Sequence, residues 1–249
     1  MTMDNTILKK VLIWFWSIFA LGLASIILIF WLITKGALGY LPPLDELQNP
    51  KNTFATEVIS SDMQLLGRYY RQENRVGVNY EDISPNMINA LIATEDARFY
   101  NHTGIDFKSL FRAIIKMGRA GGGRTITQQL AKQLWSPRAN NIFERALQKP
   151  IEWVIATKLE RLYSKEEILT MYLNQFDFLY NAVGIKSAAQ VYFSTTPDQL
   201  TIEEAAMLVG MCKNPSMYNP RRRPERALNR RNTVLDQMCK YGYLSRQEC

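Results

Sequence analysis

Residues 94–106 read TEDARFYNHTGID, a dense polar cluster with a hydrophobic lead-in. Adjacent carboxylates Glu95 and Asp96, the chain's only histidine, His102, then Gly104 and Asp106 all fall in this one stretch. On its N-terminal side Ser84 suits an N-cap, Pro85 suits the first turn, and Met87, Ile88, Leu91 and Ile92 recur at helical spacing. Glu95 therefore falls near the C-terminal end of a helix. On the other side Asp106 can cap a second helix whose Phe107, Leu110, Phe111, Ile114 and Ile115 share one face. The turn between the two helices is expected to hold its polar cluster against apolar walls. A carboxylate so placed can serve as a general base. The plainer alternative is that Glu95 is a solvated helix-end charge and His102 a hydrogen-bonded turn residue.

Downstream, residues 118–123 read GRAGGG, a segment with little backbone restraint that suits either a flap over a cleft or a plain loop. The following RTITQQLAKQL has Thr125 as a helix cap, with Gln128 and Gln129 offering amide donors near a helix start that itself attracts anions. Residues 141–163 form a long helical pattern in which Pro150 should kink or restart the helix. Arg145, Lys149, Glu152, Lys158, Glu160 and Arg161 alternate in sign along it. That pattern describes a salt-bridged surface helix, unless Glu152 is buried among the cations. Capping boxes at Ser164 with Glu167 and at Thr201 with Glu204 open two further helices. In residues 221–231, RRRPERALNRR, six arginines either grip phosphates or form a solvated face; Pro224 starts a helix there and Gly242 stops it.

Upstream, residues 53–70 suggest a β-hairpin turning at Ser60, Ser61 and Asp62, and residues 35–52 look like a linker. Residues 11–34 carry no charge and would reach ~36 Å as a helix, enough to cross a bilayer core. Trp14, Trp16 and Trp31 suit the interfaces, and Lys9 and Lys10 against Lys35 put the 1–10 tail on the cytoplasmic side. The stretch is too long for a signal-peptide core, the alternative reading. The remaining residues, 53–244, make one domain of mostly helical pattern. A net charge of +7 points to acidic partners, and the span favours membrane lipids over nucleic acid. Cys212, Cys239 and Cys249 suggest neither a disulfide framework nor a zinc site. With one histidine, any metal would be held by oxygen ligands, which suits Mg2+ or Mn2+.

Taken together these stretches resemble glycosyltransferase family 51, the peptidoglycan glycosyltransferases found alone or at the N-terminus of class A penicillin-binding proteins. Glu95, Asp96, Phe99, His102, Gly104 and Asp106 fit the motif E-D-x-x-F-x-x-H-x-G-x-D, and residues 125–129, TITQQ, fit G-x-S-T-I-T-Q-Q. QKPIE resembles R-K-x-x-E, with Gln148 in place of arginine; YLN with Gly184 and Ile185, and LVGMCKNPSMYNP, resemble two more motifs. Arg124 stands where the family has serine.

The resemblance implies a mainly α, lysozyme-like domain with a small hairpin behind one transmembrane helix, lying outside the bacterial cytoplasmic membrane. It implies polymerisation of lipid II onto a lipid-linked glycan chain, with Glu95 and Glu152 catalytic. Asp96, Phe99, His102, Arg124, Thr125, Thr127, Gln128, Gln129, Arg145, Lys149 and Asn174 would bind substrate. Glu152 would position a cation or hold Mg2+ or Mn2+, with no organic cofactor, and other cell-wall synthesis proteins would be partners. A lytic enzyme and a non-catalytic scaffold are the rival readings. Ser245 and Glu248 form a capping box at the end of the sequence, which suggests that the chain continues. No S-x-x-K or K-T-G occurs, so no penicillin binding is expected of these residues.

Overall fold

The computed structural model of the chain describes residues 5–48, 56–62, 65–69, 76–115, 123–136, 141–245 and 247–249. The fold is mainly helical. Helix α1 (Asn5–Thr34) is followed by α2 (Leu44–Gln48), then by strands β1 (Thr56–Ile59) and β2 (Leu65–Tyr69), which pair antiparallel with Thr56 opposite Tyr69. Among the described residues eight α-helices follow: α3 (Pro85–Glu95), α4 (Phe107–Ile115), α5 (Ile126–Trp135), α6 (Ile142–Leu162), α7 (Lys165–Gln175), α8 (Ile185–Phe193), α9 (Ile202–Lys213) and α10 (Pro224–Lys240).

The helix starts are set by the residues that the sequence nominated. Ser84 Oγ accepts from the Asn86 N–H at 3.3 Å and donates to the Leu200 carbonyl at 3.0 Å, so one hydroxyl caps α3 and ties it to the α9 entry. Thr125 caps α5 by accepting from the Gln128 N–H at 3.2 Å. Reciprocal capping boxes open α7 at Ser164 and Glu167 and α9 at Thr201 and Glu204. Gly242, with φ +77°, ends the α10 region.

Helix α3 is the centre of the core. It buries Met87, Ile88, Leu91 and Ile92 and packs against α9 and α10, while α5 packs against α6 and α7. Leu91 is fully buried, which at the usual value for an aliphatic side chain contributes about 1.5–3 kcal/mol. Helix α1 leaves almost its whole length exposed as an apolar surface, with residues Leu8–Thr34 long and apolar enough to cross a membrane. Its C-terminal end meets α6, where Phe30 stacks on Trp153 with centroids 6.3 Å apart.

The structure corrects several sequence expectations. Helix α6 does not restart at Pro150, since it continues through that residue with the loss of one backbone donor. Residues 35–48 are no free linker, because α2 docks: Leu47 is fully buried, Trp135 Nε1 donates to Glu46 at 3.1 Å, and Tyr163 Oη donates to the Leu47 carbonyl at 2.8 Å. Helix α4 does not wall the polar turn, since Phe107, Phe111 and Ile115 are 70, 66 and 64% exposed; the Ile114 side chain lies outside the described residues. Cys239 and Cys249 form a disulfide with Cα atoms 5.8 Å apart, because the turn at Gly242 leads the chain back along the end of α10. Residues 118–122 of the expected flap, and the hairpin residues outside β1, β2 and the 60–62 turn, lie outside the described residues.

Candidate active site

The turn after α3 is built by a histidine locked between two partners. His102 Nδ1 accepts from the Gly104 N–H at 3.2 Å, so in the neutral ring the proton sits on Nε2, which donates to Asp96 at 2.9 Å. Asp96 also accepts from the Ile126 N–H at 3.1 Å. A buried carboxylate thereby meets the positive N-terminal end of α5 and joins the end of α3 to the start of α5. The Gly104 carbonyl takes two further bonds from α5 residues, from Thr125 Oγ1 at 2.7 Å and Gln128 Nε2 at 3.1 Å. Gly104 itself has φ +89°, and a Cβ there would lie 2.9 Å from the Ala156 backbone, so only glycine lets the turn rest on α6.

Asp106 closes the turn. It pairs with Arg98 and accepts from the Ser109 N–H at 3.0 Å. Burial raises its carboxyl pKa, but the bonds from Arg98 and Ser109 outweigh that and hold it well below the usual carboxylate range.

Glu95 is the last residue of α3, where the helix C-terminus disfavours a negative charge. Two donors answer it. Gln129 Nε2 donates to Glu95 Oε2 at 3.0 Å, and Arg230 Nη2 lies 3.6 Å from Oε1. Gln129 is in turn oriented by Tyr172, whose hydroxyl donates to its Oε1 at 3.2 Å. Burial keeps Tyr172 protonated far above its ordinary pKa, and burial with the nearby Glu95 charge does the same to the Cys212 thiol. Glu95 keeps a 14% exposed side chain at this network's edge. Beside it Arg230 lines an open groove of about 400 Å³ with Lys213, Tyr218 and Arg226. A larger depression of about 510 Å³ lies on the other flank of the turn, around Tyr100, Thr103 and Lys165, and includes neither Glu95 nor Glu152.

Glu152 on α6 is 1% exposed, so the charge-laced helix turns this acidic residue inward, as it does the Glu160 side chain. Arg124 Nη2 lies 2.8 Å from its Oε2, and Lys149 Nζ lies 3.8 Å from the same oxygen. Burial, the Arg124 charge and Lys132 depress the Lys149 pKa, against the pull of Glu152. Arg145 is exposed one turn before Lys149, on the same helical face.

Many residues expected to touch substrate have their polar atoms taken by the protein. Phe99 and Thr127 are fully buried, and Thr127 Oγ1 donates to Glu160 at 2.6 Å. Asp96, His102, Thr125 and Gln128 build the turn, and Asn174 clamps both backbone groups of Val78, at 2.9 and 3.2 Å. The side chains that keep solvent exposure are Glu95, Arg124, Arg145 and Lys149, while partly buried Gln129 has its amide taken by Glu95 and Tyr172. Arg230 was hidden in the arginine run. Its signal was its register, three residues after Ala227 and four before Val234, both of which α10 buries. Gly210 makes room for it, since a Cβ there would sit 3.1 Å from Arg230 Cγ.

The site thus has a buried turn that joins two helices, one carboxylate held beside Arg230 and a second carboxylate among cations. The chain belongs to the transglycosylase family, whose model matches residues 62–239. It is 41% identical over 214 residues to penicillin-binding protein 1A of Escherichia coli (strain K12), covering 84% of this chain and 24% of that protein. It is 43% identical over 199 residues to penicillin-binding protein 1A of Aquifex aeolicus, covering 78% of this chain and 27% of the relative. The chain thus spans about a quarter of the length of these curated relatives. Among solved structures, penicillin-binding protein 1A from Haemophilus influenzae matches 80% of this chain and 20% of its own, at 24% identity and a TM-score of 0.44.

Proposed function

We propose that this chain is a peptidoglycan glycosyltransferase that polymerises lipid II, and the observation that carries the reading is the setting of Glu95. Its carboxylate is oriented by Gln129 and Arg230 and keeps part of its side chain exposed next to Arg230, which lines the groove, a setting that suits a general base. Glu95 takes the proton from the 4-hydroxyl of the acceptor lipid II as that oxygen attacks the anomeric carbon of the lipid-linked glycan. The bond from that carbon to the pyrophosphate breaks, the centre inverts, and the lipid pyrophosphate leaves with the electron pair. Lys149, Arg145 and Arg124 answer the charge on the leaving group. Family membership and the cations around Glu152 support synthesis over lysis, which would need a carboxylic acid to protonate a glycosidic oxygen.

The resemblance also implies a divalent ion, Mg2+ or Mn2+, at Glu152. The side chains there do not fit one: Glu152 is a single carboxylate already facing Arg124 and Lys149, and among the described residues no three His, Cys, Asp or Glu side chains converge. No step is therefore routed through a metal.

In this reading α1 anchors the enzyme in the bacterial cytoplasmic membrane, in contact with its lipids, and the domain works on the outer side. The lysine asymmetry of the span supports that side, as does a disulfide of the kind that persists outside the cytoplasm. Other cell-wall synthesis proteins are the expected partners. The test is polymerisation of fluorescent lipid II by the detergent-solubilised chain. Glu95→Gln should abolish chain growth while leaving the melting temperature within a few degrees of wild type, on the order of 1 kcal/mol. Near-wild-type turnover in that variant, or shortening of preformed glycan by the unaltered chain, would refute the reading.

A further inference from the structure

Arg124 immediately precedes the α5 cap, and its side chain reaches across to α6. Three observations describe what it does there. Its Nη2 is 2.8 Å from Glu152 Oε2, while the carboxylate is 1% exposed and the guanidinium side chain 29% exposed, so the cation shields a buried anion and still presents an edge to solvent. Glu152 Oε1 and Arg124 Nε are both buried without a hydrogen-bond partner, so the pair has donor and acceptor capacity left over. Two backbone donors of the α5 N-terminus are already engaged, by Asp96 on Ile126 and Thr125 on Gln128, which leaves the Arg124 side chain as the charged donor at this helix end.

A divalent ion at this place would sit against two positive charges with one carboxylate to hold it. We propose that Arg124 is this chain's tethered replacement for a divalent cation: it neutralises Glu152 and, with Lys149, presents a metal-free binding site for a pyrophosphate group. A guanidinium suits the task because it stays charged and its planar fork can bond the carboxylate on one edge and phosphate oxygens on another. Serine, which the family motif has at this position, carries no charge and has a single hydroxyl proton to donate, so it cannot bond both at once. The inference rests on the transferase reading of the same site, and it narrows it: transfer by this chain does not require Mg2+ or Mn2+.

Two measurements on the full chain in detergent test this. In the first, lipid II polymerisation is followed in excess EDTA and in millimolar Mg2+ or Mn2+. The unaltered chain should change by less than about twofold, whereas Arg124→Ser should fall by about tenfold or more in EDTA and recover with metal, the size of one lost charge-assisted bond. In the second, inorganic pyrophosphate is titrated calorimetrically in EDTA. Arg124→Ser should bind about 10- to 100-fold more weakly, and Arg124→Lys, which keeps the charge but not the fork, should fall between the two. Thermal melting of each variant checks that it is folded. Loss of wild-type polymerisation in EDTA, or equal metal-free pyrophosphate affinity in folded Arg124→Ser and wild type, overturns the proposal. If no form polymerises lipid II but the titration still separates them, the transferase reading fails while the assignment of Arg124 as the anion-binding cation stands.

Discussion

Replacing Asp96 by asparagine removes one charge and almost no volume, and the geometry says why that is costly. Asp96 Oδ2 accepts both from His102 Nε2 at 2.9 Å and from the Ile126 N–H at 3.1 Å, and Oδ1 lies 3.1 Å from the same ring nitrogen. Asparagine has one acceptor oxygen. If that oxygen keeps the Oδ2 position, the amide NH2 faces the Nε2–H as donor against donor. Moving the ring proton to Nδ1 relieves that contact and creates the same one with the Gly104 N–H, 3.2 Å away. Bonds to a charged acceptor contribute about 1.5–3 kcal/mol each against about 1 for neutral ones, and a carboxylate at a partly buried helix N-terminus adds up to about 2. The expected loss is therefore about 2–4 kcal/mol. For a domain of this size that lowers the melting temperature by about 5–15 °C. Thermal unfolding of the detergent-solubilised chain, followed by tryptophan fluorescence, measures it; Asp236→Asn on the exposed side of α10 is the control and should shift stability by no more than about 0.5 kcal/mol. If Asp96→Asn melts with the wild type and loses only transferase activity, Asp96 touches substrate and does not hold α3 to α5.

Two other substitutions probe the same turn. Gly104→Ala sets a Cβ 2.9 Å from the Ala156 backbone at φ +89°, and left-handed strain plus overpacking should destabilise the fold by about 2–4 kcal/mol; an unchanged melt would show that the turn can lift off α6. The Asp106 carboxyl has a depressed folded-state pKa, so its stabilising effect is complete above the unfolded carboxylate value of about 3.9 and is lost as pH falls below it towards the folded value. The melting difference between wild type and Asp106→Asn should accordingly be constant from neutral pH to about pH 5 and shrink below about pH 4. A difference that grew on acidification would contradict the sign.

Local rules within the sequence were enough for the starts of most helices. Ser84, Thr125, Ser164 and Thr201 each cap where the sequence places them, because a cap and the apolar stripe behind it are both read within a few residues. The apolar span and the cluster of residues 94–106 were equally legible, and the motif resemblance pointed to the family whose model matches the chain. Side-chain direction was not. Sequence spacing alone left open whether Glu152 is a surface charge or a buried one, and neither it nor the family resemblance, which gave Asn174, Thr127 and His102 to substrate, showed that Val78, Glu160 and Asp96 bond them. Nor could it show the pairing of Arg230 with Glu95, although the register between Ala227 and Val234 set that residue apart among six arginines, since the pairing depends on Gly210 of α9 leaving space beside α10. It read Cys239 and Cys249 as unrelated, though the turn at Gly242 brings their Cα atoms to 5.8 Å. Helix starts and apolar faces arise from interactions between near neighbours along the chain, so the sequence by itself determined them. Which polar group is buried, and against which partner, depends on contacts between residues such as Arg124 and Glu152 or Glu95 and Arg230, and only the packing of α3, α5, α6 and α10 decides those.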